Sequence, residues 1–207
     1  MAREPKNYDH LIGKVKGLSE NQLKAHFTLY QGYVKKLNEI EQKLGTVDKS
    51  APNYSFNDYS ELKRREPVAY NGTFLHEAYF DNIGEPGTEP PAFFKTAIAG
   101  AFGSWDNYLA DIKAAAASAH GWVLTCYGYA DNKVRNVLVQ SEHHVGLFAD
   151  THIMVAIDCW EHAYFADYQT KKAAYLDGLL KHLHWPAVAA RWARCEALER
   201  EIAHAGA

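Results

Sequence analysis

Residues 151–168 read THIMVAIDCWEHAYFADY. The apolar run Ile153–Ile157 predicts a largely buried strand, and it ends on a carboxylate, Asp158. His162 follows four residues later, and Glu161, Asp167 and four aromatic rings share the stretch. A carboxylate at the end of a buried strand is costly unless donors or a cation meet it. Whatever the chain folds into must therefore bring compensation to this point. A chain that leaves the strand at Asp158 and turns into a short helix keeps Asp158 and His162 together, and a bound cation would satisfy both.

The sequence holds 11 histidines in 207 residues, a high count of the commonest metal-binding side chain. Two lie inside helical patterns. His26 is seven residues before Tyr33, and seven steps of about 100° point both side chains the same way. Leu29, Tyr30 and Leu37 share roughly that face. His76, in FLHEAYFDNIG, is flanked by Phe74, Leu75, Tyr79 and Phe80. Each of these histidines, taken alone, also fits a core imidazole bonded to a carbonyl. Taken together, His26, His76, Asp158 and His162 offer three nitrogens and one oxygen, a set that suits iron, manganese or zinc. With no thiolate, the set fits a structural zinc poorly.

The organisation is legible in outline. Ser19 with Gln22 predicts a capping box opening a helix that stops at Gly45. Residues 46–55 predict a loop, and 56–83 a second helix kinked or split at Pro67 and Gly72. These form an antiparallel hairpin. GEPGTEPP then marks a boundary between an N-terminal domain, 1–84, and a C-terminal domain, 90–207. In the second part, helices are expected from Pro90 to Ala101 and from a Ser104 cap to Ala119. Strands GWVLTCYGY and VRNVLVQ flank a turn at Asp131-Asn132, THIMVAID is the third strand, and helices cover about 170–183 and 186–203. The fold class is α+β: a helical hairpin plus a lobe of helices around a small three-stranded antiparallel sheet.

The net charge of -3 gives no bulk basic character for nucleic acid. No apolar run approaches the ~20 residues of a membrane helix, and the polar start lacks the apolar core of a secretion signal. Three dispersed cysteines, Cys126, Cys159 and Cys195, argue for a reducing compartment, and the expected location is cytoplasmic.

DCWEHAYFADY resembles the DxWEHAYYxDY signature of the iron/manganese superoxide dismutases. The likeness runs roughly from Ser19 to Trp192. HFTLYQGYVKKLN is similar to the family's first ligand helix, LHEAYFDN to its second, FGSWDNYLADI to its FGS-initiated helix, HGWVLTCY to its GxGW strand and AAYLDGLLKHLHW to its closing segment. The resemblance implies one iron or manganese ion per subunit on His26, His76, Asp158 and His162, and disproportionation of superoxide to dioxygen and hydrogen peroxide. It implies a solvent- and substrate-facing pair, Tyr33 and His144, and an aromatic cage of Phe80, Trp122 and Trp160. It implies a homodimer or homotetramer whose interface includes Glu161, reaching the partner's His162, and Tyr164. Gly72 stands where some iron enzymes carry a glutamine, and is expected to leave room. Three departures stand out. Ligand histidine and tyrosine are seven residues apart here and eight in the family, which points to a π-bulge that this chain lacks. A gateway histidine is replaced by Leu29 or Tyr30. An arginine is replaced by Lys172, which joins Lys35, Lys36 and Lys171 as a candidate for attracting the anion. The changed gateway also suits an alternative, a divergent mononuclear metal oxidase or oxygenase on the same scaffold. A second alternative is a non-catalytic protein that keeps the fold.

Overall fold

A computed structural model describes residues 2–205. Helix α1 (Glu20–Thr46) starts where the Ser19 side chain accepts a hydrogen bond from the Gln22 N–H, which answers one of the free donors of the first turn. Only half of the expected capping box forms. The Gln22 side chain turns away, donates to the His162 carbonyl and accepts from the Ala166 N–H. It thereby ties the first turn of α1 to the segment that carries His162.

Helix α2 (Asp58–Asp81) is capped by Asn57, which accepts from Ser60 N. The break expected at Pro67 and Gly72 is absent: α2 is one continuous helix with Pro67 inside it. A proline removes one helical hydrogen bond and frees the carbonyl four residues back. That residue is Lys63, which is exposed, so water can take the place of the lost donor. Helices α1 and α2 pack along their length, and Leu37, Ile40 and Ala69 form a small apolar cluster of their own.

After residues 82–91 come α3 (Ala92–Phe102) and α4 (Trp105–Ser118), the latter capped by Ser104. Strands β1 (Gly121–Gly128), β2 (Lys133–Gln140) and β3 (Thr151–Asp158) form an antiparallel sheet in the order β2-β1-β3. The β1–β2 hairpin turns through Asn132 at φ 55, a left-handed position that asparagine tolerates. The chain closes with a 3-10 turn (Glu161–Ala163), α5 (Lys172–Leu179) with a 3-10 extension to His182, and α6 (Trp185–Ala205). The α+β class, the hairpin and the three-stranded sheet agree with the sequence reading.

Central strand β1 is buried along nearly its whole length. Its register pairs Trp122 with Asp158, and paired residues point to the same side of a sheet. Trp122 and Asp158 therefore face the helical hairpin together. One continuous apolar core runs from Leu23, Phe27 and Phe80 of the hairpin to Trp122 and Val155 of the sheet. The polar residues that follow lie at this junction.

Candidate metal centre

Four side chains from four places in the chain converge. His26 comes from α1, His76 from α2, Asp158 from the end of β3 and His162 from the 3-10 turn after it. Their ligand-type atoms all lie within 4.8 Å of one another. The Asp158 Oδ2 atom is 3.1 Å from His26 Nε2, 3.2 Å from His162 Nε2 and 3.6 Å from His76 Nε2. Asp158 and His76 are fully buried, His26 is 1 % exposed and the His162 side chain is 30 % exposed. Asp158 is held from both sides of its backbone turn: Oδ1 accepts from the Trp160 N–H at 2.9 Å, and Tyr175 donates its hydroxyl to the Asp158 carbonyl at 2.9 Å.

The protons show what the cluster lacks. His76 Nδ1 contacts the Gly72 carbonyl, so that nitrogen carries the proton and Nε2 is left as a bare lone pair. Nε2 has no hydrogen-bond partner among the described residues, yet it is buried and faces a carboxylate oxygen. Two acceptors facing one another in a dry interior repel unless a cation lies between them. His26 and His162 aim their Nε2 atoms at the same oxygen. The donor set is three imidazole nitrogens and one carboxylate, with no thiolate, and it fits a first-row transition ion.

Electrostatics point the same way. Burial pushes the His26 and His76 pKa values down, and for His76 the neighbouring His26 pushes it further. Both imidazoles are therefore neutral at pH 7. Burial alone would raise the Asp158 pKa, but the adjacent His162 and His26 outweigh it and hold the group below the usual carboxylate range. With His26 and His76 uncharged, neither offers the ionised Asp158 the positive partner that a buried carboxylate calls for.

Around the cluster stands a wall of rings. Trp122 meets His76 edge-on at 5.0 Å between ring centroids, Phe80 meets His26 edge-on at 4.8 Å, and Trp160 lies parallel to His162 at 6.2 Å. Tyr33 stacks on His76 at 5.3 Å. Helix α1 is α-helical throughout, so the seven-residue spacing alone puts His26 and Tyr33 on one face. Ala25 is exposed and takes no part.

The expected pair Tyr33 and His144 is corrected at its second member. His144 Nδ1 bonds the Glu142 carbonyl at 2.7 Å on the exposed side of the turn. The neighbouring residue, His143, is 3 % exposed and reaches the site. Its Nε2 is 2.7 Å from the Tyr33 hydroxyl, and its Nδ1 accepts from Trp122 Nε1 at 2.9 Å. An indole N–H only donates, so Nδ1 is the unprotonated nitrogen and neutral His143 carries its proton on Nε2. That proton points at the Tyr33 oxygen, leaving the Tyr33 O–H free to donate elsewhere. The one-residue error has a backbone cause. Glu142 and His143 both lie in the left-handed region, at φ 56 and φ 64, which no residue pattern in SEHHVG announces. Burial lowers the His143 pKa to about 4, so it is neutral at pH 7. Burial, and then Asp158, raise that of Tyr33.

The room at Gly72 is taken: a Cβ there would lie 2.4 Å from Tyr33 Cδ1. Neither candidate for the gateway position extends the Tyr33 hydrogen bond. Leu29 is apolar, and Tyr30 faces the N-terminal segment, where its hydroxyl donates to Glu77 and accepts from the Lys6 N–H. Lys172 is turned to backbone carbonyls. Its Nζ donates to the Ala116 and Ala119 carbonyls at 2.9 and 2.7 Å, closing the C-terminus of α4 as a cation favourably does. Lys36 pairs with Glu39 and lines, with Tyr33, a groove of about 650 Å³ between α1 and α2. Lys35 and Lys171 are exposed. Glu161 is exposed beside the part-exposed His162, whereas Tyr164 is 6 % exposed and stacks on Tyr175.

Comparison with known proteins agrees with the geometry. Residues 90–191 match the family model for the C-terminal domain of iron/manganese superoxide dismutases. The chain is 38% identical to a superoxide dismutase [Fe] of Cupriavidus metallidurans, over 87% of this chain and 91% of the relative. It is 36% identical to a superoxide dismutase [Fe] of Aquifex pyrophilus, over 91% and 90%. Against a superoxide dismutase [Mn] of Halobacterium salinarum the identity is 32%, over 81% and 82%. A buried four-ligand junction between a helical hairpin and a small sheet, and likeness along nearly the whole chain, lead to one conclusion: this protein belongs to the iron/manganese superoxide dismutase family.

Proposed function

We propose that the chain is a superoxide dismutase, converting superoxide to dioxygen and hydrogen peroxide at one iron or manganese ion held by His26, His76, Asp158 and His162. The ion supplies the chemistry no side chain can, one-electron exchange between its trivalent and divalent states. The observation that carries the assignment is the bare Nε2 of His76 facing Asp158 across 3.6 Å.

The protein's own groups have separate tasks. Asp158 contributes the negative charge that favours the higher oxidation state. His76 is fixed in one tautomer by the Gly72 carbonyl, as metal-binding histidines generally are by an outer acceptor. Phe80, Trp122 and Trp160 exclude water and hold the imidazoles in place. Tyr33 presents a free O–H at the mouth, because His143 supplies the proton for their shared bond. The hydroxyl can therefore donate to a small anion or to solvent entering from the α1–α2 groove. Peroxide formation consumes two protons, and Tyr33 is the side chain best placed to pass them in.

Two finer readings belong with this proposal. The exposed Glu161 and the part-exposed edge of His162 support closure of the site by a second copy, in a homodimer or homotetramer. Three buried cysteines that form no disulfide among the described residues support the cytoplasm as the compartment. No helix among the described residues is long and apolar enough to cross a membrane. The oxidase and non-catalytic alternatives draw no specific support from the site. The deciding experiment is elemental analysis of purified protein, followed by superoxide assays after reloading with iron or manganese. Stoichiometric metal with dismutation is expected; loaded protein that leaves superoxide untouched would overturn the reading.

A further inference from the structure

His143 reaches the site through an unusual backbone. Two successive non-glycine residues, Glu142 and His143, are left-handed, at a cost on the order of 1–2 kcal/mol each. Such a conformation persists only where its surroundings over-determine it. Inside, the His143 ring is held at both nitrogens by Trp122 and Tyr33. At the base, Gln140 N donates to Val145 O at 2.8 Å. Gly146 at φ 97 lies where a Cβ would meet the Leu138 carbonyl at 2.5 Å. Outside, the Glu142 carboxylate receives Arg65 Nη1 of α2 at 2.9 Å. The turn thus belongs to the sheet side of the molecule, while two of its anchors, Tyr33 and Arg65, belong to the hairpin. Arg65 and Tyr33 also line the same groove.

We infer that Arg65 is a positioning residue: its ion pair with Glu142 latches the left-handed turn to α2 and so keeps the His143 Nε2–H on the Tyr33 hydroxyl. Arg65 touches neither the ligand cluster nor Tyr33's hydroxyl. It acts by restricting the one backbone segment whose native conformation is intrinsically disfavoured. The inference rests on the reading of Tyr33 and His143 given above. Both members of the pair are more than half exposed, so the effect is modest and the fold survives its loss.

The test uses metal-loaded enzyme and five variants: Arg65→Ala, Arg65→Lys, the exchanged pair Arg65→Glu with Glu142→Arg, His143→Ala, and Arg65→Ala with His143→Ala. Arg65→Ala should lower kcat about threefold, the size an exposed ion pair can carry, with KM unchanged. It should also speed amide hydrogen exchange in segment 140–147. Arg65→Lys and the exchanged pair should restore both in part. In the His143→Ala background, removing Arg65 should cost nothing further. Unchanged exchange and kcat in Arg65→Ala, with His143→Ala impaired, would overturn the latch and leave the proposed function standing. So would a loss that persists without His143, or one confined to KM and its salt dependence, since either makes Arg65 a guiding charge. Full activity in His143→Ala would instead remove the role given to His143, and the exchange rates would still decide whether Arg65 holds the turn.

Discussion

Replacing Gly72 by alanine should cut turnover about tenfold and leave the protein folded. The added Cβ would lie 2.4 Å from Tyr33 Cδ1 and 2.7 Å from both Cε1 and Cγ, where ordinary contact begins at 3.4 Å. The difference, 3.4 − 2.4 = 1.0 Å, is the distance the ring or α2 has to yield. The Tyr33 hydroxyl sits 2.7 Å from His143 Nε2. A displacement of that size away from His143 takes the pair beyond hydrogen-bonding distance. Forcing one methyl group into a packed site costs about 1–3 kcal/mol, but alanine in a helix interior returns about 1 kcal/mol relative to glycine. The net loss of stability is then about 0–2 kcal/mol, or at most several degrees in Tm. Losing one hydrogen bond that orients a reacting group costs about 1.4 kcal/mol, a tenfold fall in turnover. The assay is superoxide dismutation per bound metal ion, with Tm measured on the same samples. Tyr33→Ala supplies the control, because without the ring the same Gly72→Ala change should raise stability by about 1 kcal/mol. Wild-type turnover together with a raised Tm in Gly72→Ala alone would refute the reasoning, since it would mean that the ring does not occupy that space.

Other consequences are open to measurement. His143→Ala should lower turnover at least tenfold while His144→Ala stays within about twofold; the reverse order, read from kcat per metal ion, would return the role to His144. Burial lowers the pKa values of His26, His76 and His143, the last to about 4. The unfolded chain, with imidazoles near 6.5, therefore binds more protons than the folded one at mildly acid pH. Stability of metal-free protein should be complete above about pH 6.5 and fall as pH drops toward 4, by up to ~1.4 kcal/mol per pH unit for each group. Urea midpoints that stay flat over that window would contradict neutral buried imidazoles. Lys172→Ala should cost about 1 kcal/mol through the uncapped end of α4 and leave the salt dependence of turnover unchanged. A flattened salt dependence would make Lys172 a steering charge after all.

Local patterns settled the parts of this protein that depend on neighbours in sequence. The Ser19 cap, the 3.6-residue face shared by His26 and Tyr33, the turn at Asn132 and the apolar run closing on Asp158 each follow from a few adjacent side chains. Helical period alone puts a buried histidine on each arm of the hairpin, and the cost of burying Asp158 demands that something meet it. What the sequence could not decide depends on residues far apart. Gln22 forgoes its cap because the His162 carbonyl lies within its reach. Pro67 leaves α2 whole because the residue whose carbonyl it frees, Lys63, lies on the exposed side of the helix, where water can replace the lost donor. Gly72 is needed because a ring from the other helix fills its space, and Lys172 is spent on the end of α4. The choice of His143 over His144 turned on two left-handed residues held by Trp122, Tyr33 and Arg65, none of them near in the chain. Backbone conformations that are unfavourable in isolation exist only where tertiary contacts outweigh their cost, and for that reason the sequence carries no local sign of them.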